Sequence, residues 1–442
     1  MVVGHSFRNF VLVIKNKTMR VLIVNTSEKT GGAAVAANRL MEALNNNGVK
    51  AKMLVADKQT DNITVVELPH PGRHRLHFLW ERWCIFWRLH FKRDHLFEID
   101  TANSGTDITS LPEYKEADVI HLAWINQGML SLKDINKILE DGKPVVWTMH
   151  DMWPATAICH YALTCHNFTT HCQQCRLLPG GGGKHDLSYK VWERKARILA
   201  KHAIKFVACS KWLAGEARRS RLLMGQDITA IPNPIDTRVF RPGDQRQARL
   251  GMHLPLDKKL ILFVSQRVTQ TIKGMDYMVE ACNKLATDHP ELKEQWGVVV
   301  MGGHADEIAE RFQLPVYPLG YVNNTRAIVQ TYQAADVFVI PSLSDNLPNT
   351  IMEALACGVP CVGFNVGGIP EMIDHQKNGY VAKYRSADDL AAGIYWTLHE
   401  ADHQQLSREA VNKVERNYSQ QSVAVKYIEV YTNAIAQRTF RI

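Results

Sequence analysis

No apolar run in this 442-residue chain approaches the roughly 18–20 residues that a membrane-spanning helix needs. Cysteine is sparse: nine residues, an odd number, which excludes a disulfide-dense secreted scaffold and fits a reducing compartment such as the cytoplasm. No G-x-G-x-x-G follows a strand, so the dinucleotide-binding fingerprint is absent. No clear D-x-D occurs either. The nearest candidate is Glu98-Ile99-Asp100. No period of 20–50 residues recurs, which excludes a solenoid. Within Met1–Thr18 the main apolar run is Phe10–Ile14, shorter than a usual signal-peptide core, so residues 1–18 read as a disordered extension or an upstream start, with a targeting segment as the lesser alternative.

What is present points to a globular α/β protein. The chain is 46% hydrophobic and 22% charged, ordinary for that class. It is too long for one core, so two or more domains are expected. The net charge of +8 suits an anionic substrate or an anionic membrane surface. Buried-strand patterns recur at Arg20–Asn25, Lys50–Ala56, Ala117–Leu122, Pro144–Met149 and Ile204–Cys209. They return at Lys259–Ser265, Gly297–Met301, Asp336–Pro341 and Pro360–Phe364. Helical patterns separate them, and Gln420–Arg438 is a last long helix. Arg241–Leu256 is polar and holds two prolines and two glycines, which reads as a linker.

Polar residues just after buried parallel strands are the usual site-building positions. Gly31-Gly32 stand between the first strand and an Ala-rich helix, where backbone can approach an anion. The carboxyl end of one strand carries His121, Trp124 and Asn126, and that of another His150-Asp151. Arg267 and Lys273, six apart after a strand and before a helix, are placed to grip a diphosphate. Asp345 and Glu353 stand eight apart across a loop and helix start, followed by the turn Gly367-Gly368. Thr350-x-x-Glu353 is also a capping-box pattern, so Glu353 has a local alternative.

Two stretches keep open alternatives. Cys159, Cys165, Cys172 and Cys175 crowd into 17 residues. A structural zinc site is one reading of them; reduced thiols or a labile disulfide is the other. Between His70 and Asp100, Arg73, Arg75, Arg82, Arg88, Lys92 and Arg93 interleave with aromatics. Trp80, Trp83 and Trp87 share a helical face. That stripe either packs on the core or lies on anionic lipid, with contact through 73–93. No nucleic-acid motif accompanies it. Pro179–Gly183 reads as a flexible loop able to act as a lid.

Several motifs in this order, T-M-H-D-M-W-P, I-P-N-P-I-D, S-Q-R-V-T with K-G six residues on, P-S-L-S-D-N-L-P-N-T-I-M-E-A-L-A-C-G and G-G-I-P-E, resemble the retaining family-4 glycosyltransferases. The match spans about Met19–Arg438. It is most similar to the bacterial exopolysaccharide, capsule and O-antigen branch. The resemblance implies a GT-B fold: two Rossmann-like domains with parallel sheets facing across an interdomain cleft, and a C-terminal helix crossing back to the N-terminal domain. The implied divisions are 19–240 for the acceptor, a linker at 241–256, 257–417 for the nucleotide sugar, and 418–442 for the returning helix. The implied activity is transfer of a sugar from a nucleotide-diphosphate donor to a hydroxyl of a lipid-linked or oligosaccharide acceptor. The resemblance further implies that no catalytic metal is required and that the location is cytoplasmic, on the inner-membrane face in the lipid-bound reading. An epimerase on the same architecture and a non-catalytic membrane scaffold are the competing functions.

Carried onto this chain, the resemblance has Arg267 and Lys273 neutralise the diphosphate and Glu353 hold the ribose hydroxyls. Asp345 stands where the family has glutamate, one methylene longer. Asn346, Leu347, Asn349 and Thr350 complete that loop of the donor site. Gly367, Gly368 and Ile369 would present amides to phosphate and sugar, with Glu371 steadying the turn. His150 would approach the transferred sugar, and Gly31 and Gly32 the phosphate.

Overall fold

The computed structural model describes residues 18–439, so the expected extension at 1–18 lies, apart from Thr18, outside the described residues. The chain divides into two units, one comprising residues 1–234 and 423–442 and the other 235–422.

Unit one is built on β1 (Arg20–Val24), α1 (Gly32–Asn46), β2 (Lys50–Val55), β3 (Val65–Glu67), α2 (Pro71–Arg88), α3 (Pro112–Glu116), β4 (Val119–Leu122), α4 (Leu132–Glu140), β5 (Val145–Met149), α5 (Leu187–Leu199), β6 (Lys205–Ala208), α6 (Lys211–Arg219) and β7 (Asp227–Ala230). Its seven strands are all parallel in the order β3-β2-β1-β4-β5-β6-β7. The direction of winding reverses between β1 and β4, the switch point at which doubly wound sheets open a crevice. The helices are locally specified. Ser131 and Asp134 close a reciprocal capping box on α4, and Ser210 caps α6.

Unit two holds α7 (Gln245–Gly251), β8 (Lys259–Arg267), α8 (Met275–Asp288), α9 (Leu292–Gln295), β9 (Trp296–Gly303), β10 (Val316–Gly320), α10 (Thr325–Ala334), β11 (Val337–Ile340), α11 (Asn349–Ala356), β12 (Cys361–Phe364), α12 (Ile369–Met372), β13 (Gly379–Ala382), α13 (Ala387–Tyr395) and α14 (His403–Asn417). The parallel order β10-β9-β8-β11-β12-β13 places its switch point between β8 and β11. The expected linker at 241–256 is folded into this unit instead. Its α7 is fixed by Arg249, whose buried guanidinium meets Asp336 at 2.7 Å and donates to Ala334 O at 3.0 Å.

The last helix, α15 (Gln420–Thr439), sends Val423, Tyr427, Tyr431 and Ala434 into the core of unit one. His121, at the carboxyl end of β4 as expected, is fully buried and does not face a site. Its two ring nitrogens meet the Tyr431 hydroxyl at 2.6 Å and the Thr148 hydroxyl at 2.8 Å. It is a structural fastener for α15.

Burial pushes His121 down to about 3, and nearby His150 acts in the same sense. A histidine whose pKa falls on folding contributes stability that is fully present above its unfolded value and lost as pH drops toward its folded one. Each pH unit in the window from about 6.5 down to about 3 costs about 1.4 kcal/mol. His121→Gln is expected to melt below wild type at neutral pH, yet to lose less on acidification from about pH 6 to about pH 4. Parallel melting-temperature curves for the two proteins would refute this role.

Candidate functional site

The residues expected to read a donor gather at the carboxyl edge of the second sheet. Pro341 ends β11, because proline cannot extend the ladder. The loop that follows runs beside the turn after β8 and the turn after β12. Leu343 N donates to Ile272 O at 2.8 Å, and Gly368 N donates to Asp345 O at 3.2 Å. Two glycines make this three-turn stack feasible. Gly274, at φ 73°, would carry a Cβ 1.8 Å from Pro341 O, and Gly367, at φ 58°, a Cβ 1.8 Å from Asp345 O. Any side chain at either position would force the loop apart.

On this stack Lys273 Nζ lies 2.8 Å from Asp345 Oδ2. Arg267 ends β8 exposed to solvent and makes no ion pair among the described residues. Lys273, Asp345 and the end of β8 thus meet at the β8/β11 switch point. Asp345 is consequently tied to a cation through one oxygen rather than presented wholly to a ligand.

Glu353 is buried in the second turn of α11, and its Oε2 accepts from the Tyr332 hydroxyl at 2.8 Å. The capping-box alternative is not formed: α11 starts at Asn349, its N-cap is Pro348, and no side chain caps it. Asn346 and Leu347 are buried in the loop, whereas Asn349 and Thr350 are half-buried at the helix start. The expected row of free amides at Gly367, Gly368 and Ile369 is corrected in part. Gly368 N is spent on Asp345 O, and Ile369 N donates to Val366 O at 3.2 Å. Glu371 lies in the first turn of α12 and closes the turn through its own amide, which donates to Gly368 O at 3.1 Å.

Three contributors were not read from the sequence. Tyr332 orients Glu353, Tyr384 holds the loop through its hydroxyl to Leu343 O at 3.0 Å, and Ser342 keeps a buried hydroxyl without a hydrogen-bond partner. The serine in P-S-L-S was the available signal for Ser342.

Gly31, Gly32 and His150 belong to unit one. Gly31, at φ 91°, is the N-cap of α1 and offers no side-chain cap, so the helix opens on bare backbone. At that sheet's switch point the loops after β1 and β4 are bonded together. The Thr26 hydroxyl donates to Asn126 O at 2.8 Å, and Trp124 N donates to Asn25 Oδ1 at 2.9 Å. The Asn126 amide Nδ2 is buried there without a partner.

His150 follows β5, and burial, only partly offset by Asp151, pushes it down to about 4. It is a neutral imidazole at physiological pH. Asp151 has further partners. That carboxylate accepts from Trp124 Nε1 at 2.9 Å and Trp153 N at 2.8 Å, and meets His160 Nδ1 at 2.7 Å. His160 Nε2 in turn meets Asp100 Oδ2 at 2.7 Å, and Asp100 also pairs with Arg82. Burial alone would lower His160, but Asp151 and Asp100 outweigh it and push it up to about 10. The result is an imidazolium clamped by two carboxylates. Asp100 is therefore unavailable as half of a metal-binding acidic pair.

Cys159, Cys165, Cys172 and Cys175 lie near enough to interact electrostatically with one another. All four are free thiols, and no group of three His, Cys, Asp or Glu among the described residues could hold a metal ion. Burial pushes Cys172 and Cys175 up to about 12 and pushes Lys195, which interacts with Cys159 and Cys172, down to about 7. The glycine loop is pinned rather than free: Asp186 caps α5 and accepts from Cys175 N at 2.9 Å and Gly183 N at 3.3 Å.

Comparison with known proteins bears on both units. Residues 30–239 match the family model Glycosyltransferase Family 4, and residues 258–400 match Glycosyl transferases group 1. The D-inositol 3-phosphate glycosyltransferase of Acidothermus cellulolyticus is 29% identical over 237 residues, covering 50% of this chain and 52% of that protein. The chain thus spans about half the length of the curated relatives it matches. Among solved structures, a glycosyltransferase from Rickettsia africae superposes with a TM-score of 0.63 at 15% identity, covering 95% of this chain and 99% of the other. Anabaena HepE, solved in complex with UDP, superposes at 0.61 and 15% identity over 94% and 100% of the two chains. These likenesses establish the fold: two Rossmann-like units with parallel sheets, as in GT-B glycosyltransferases. The two stretches of the chain thus match two glycosyltransferase family models, one over residues 30–239 and the other over residues 258–400.

Proposed function

We propose that this protein is a glycosyltransferase that moves a sugar from a nucleotide-diphosphate donor to a hydroxyl of a saccharide acceptor, with retention of configuration. The reading places it in bacterial cell-surface polysaccharide synthesis on a lipid-linked or oligosaccharide acceptor. Unit two binds the donor and unit one the acceptor. The observation that carries it is the pairing of Lys273 with Asp345 at the switch point of the second sheet, beside exposed Arg267. As the glycosidic bond breaks, negative charge grows on the departing diphosphate, and fixed cations stabilise it. A diphosphate competes with Asp345 for Lys273 and frees that carboxylate to turn toward the sugar. Glu353, oriented by Tyr332, receives the ribose hydroxyls. The neutral His150 can donate to or accept from a sugar hydroxyl without carrying charge. With these cations in place no metal is needed for the step. The solved HepE complexes with UDP and with UDP-glucose make uridine donors the first to try.

The test is a melting-temperature screen against UDP-, GDP-, ADP- and dTDP-sugars. At a hundredfold excess over its dissociation constant the bound donor stabilises by about 2.7 kcal/mol. One nucleotide class should raise the melting temperature of wild type and leave Arg267→Ala unmoved. Sugar isomerisation without any acceptor would assign an epimerase instead. Absence of a response to every donor would leave a non-catalytic scaffold.

A further inference from the structure

The helix α2 is turned inside out. Its central charged residues, Glu81 and Arg82, are buried, while Leu76, Leu79, Trp80 (57%), Trp83 (57%) and Trp87 (58%) are more than half exposed. At 100° per residue these five fall within an arc of about 100°, opposite the buried Ile85 face. Phe91 and Phe97, just beyond the helix, are also more than half exposed. An aromatic side chain presents roughly 150–250 Å². The five exposed aromatics therefore leave on the order of 500 Å² uncovered, already at the scale of the largest patch on a typical monomer. The leucines add to it.

The inversion is locked. Glu81 accepts from Thr101 N at 2.9 Å and Ala102 N at 2.7 Å, and Arg82 pairs with Asp100 and donates to Leu96 O at 2.5 Å. Rolling the helix to bury the tryptophans would strip these partners from two buried charges. The apolar face is thus held outward by the fold. It is also rimmed by one sign of charge: Arg73, Arg75, Arg88, Lys92 and Arg93 are exposed, and no exposed acid lies between Pro71 and Arg93. Asp94 and Glu98 are exposed on either side of Phe97, beyond the tryptophan stripe. Trp87, Arg88 and Phe91 also form one wall of a cavity of about 720 Å³, closed on the other side by Pro179, Gly182 and His185.

We propose that this face docks on the surface of an anionic phospholipid bilayer. Trp80, Trp83 and Trp87 seat at headgroup depth, and the five cations meet lipid phosphates. Tryptophan favours that depth, and a basic rim around an aromatic stripe is what an anionic interface selects. A second copy of the chain fits poorly, because two rims of five cations would face each other. No helix among the described residues is long and apolar enough to cross a membrane, so attachment by this face is peripheral.

The experiment is vesicle flotation of the full chain, using phosphatidylcholine vesicles with or without one-third phosphatidylglycerol. Wild type should float with the anionic vesicles and be released by added salt. Trp80→Glu/Trp83→Glu/Trp87→Glu should bind at least tenfold more weakly. Arg73→Glu/Arg75→Glu should weaken binding by about fivefold or more for each cation reversed, on anionic vesicles only. All five side chains are exposed, so unchanged melting temperatures separate lost docking from lost fold. Wild type that stays with the soluble fraction, variants that float as well as wild type, or a dimer abolished by the tryptophan changes would each overturn the proposal. The assay needs neither donor nor turnover, so its failure leaves the glycosyltransferase reading intact, and failure of the donor screen leaves this one intact.

Discussion

Arg267→Ala is expected to lower sugar transfer by about 10²–10³, the loss typical of removing one preorganised group from a developing anion. The side chain ends β8 in solvent and carries no ion pair among the described residues. Its removal therefore leaves the melting temperature nearly unchanged, within the range of ordinary surface substitutions. Lys273→Ala is the less clean experiment, because it also strips Asp345 of the cation 2.8 Å away. Arg267→Lys should fall between wild type and alanine, since an ammonium keeps the charge and loses the two-pronged geometry. If Arg267 acts mainly on the departing diphosphate, kcat and kcat/KM drop together. A rise in KM alone would make it a ground-state anchor. Full activity in the alanine variant would remove it from the site.

The central strands and most helices were legible because each is a short buried run or an amphipathic period bounded by glycine, proline or a capping residue. Edge strands were not. Val65–Glu67 and Gly379–Ala382 have only three and four residues and are partly exposed, so they carry no continuous apolar signal. The stacking of three turns under Gly274 and Gly367 was half legible: the glycines stood out, but which backbone they touch depends on strand order. That order decides which amides remain for a ligand, and Gly368 turned out to be occupied. The tryptophan stripe was legible as a stripe and undecidable as to side. Periodicity assumes that the apolar face turns inward, and α2 breaks the assumption by burying Glu81 and Arg82. His160 was hidden for a related reason. Its partners Asp100 and Asp151 lie 60 and 9 residues away, and only the fold closes the clamp.

Asp100→Ala is expected to be the most damaging single change in unit one. Asp100 is fully buried and joins Arg82 on one side to His160 on the other. Its loss leaves a guanidinium and an imidazolium buried together without the carboxylate between them. Breaking a buried pair in this way costs about 3–5 kcal/mol. His160 loses one of the two carboxylates that hold it charged, and like charge on Arg82 then opposes the other. The effect runs in both directions along the chain of bonds. Toward the surface it loosens the anchor that keeps α2 turned with its tryptophans outward. Toward the sheet it loosens Asp151, and with it Trp124 beside the β1/β4 crevice. The double variant Arg82→Met/Asp100→Leu removes both charges and fills the space, so it should be less destabilised than Asp100→Ala. Denaturant unfolding of both variants decides the matter. A loss under about 1 kcal/mol in Asp100→Ala, or a double variant no more stable than Asp100→Ala, would show that the charges act separately and do not form one network.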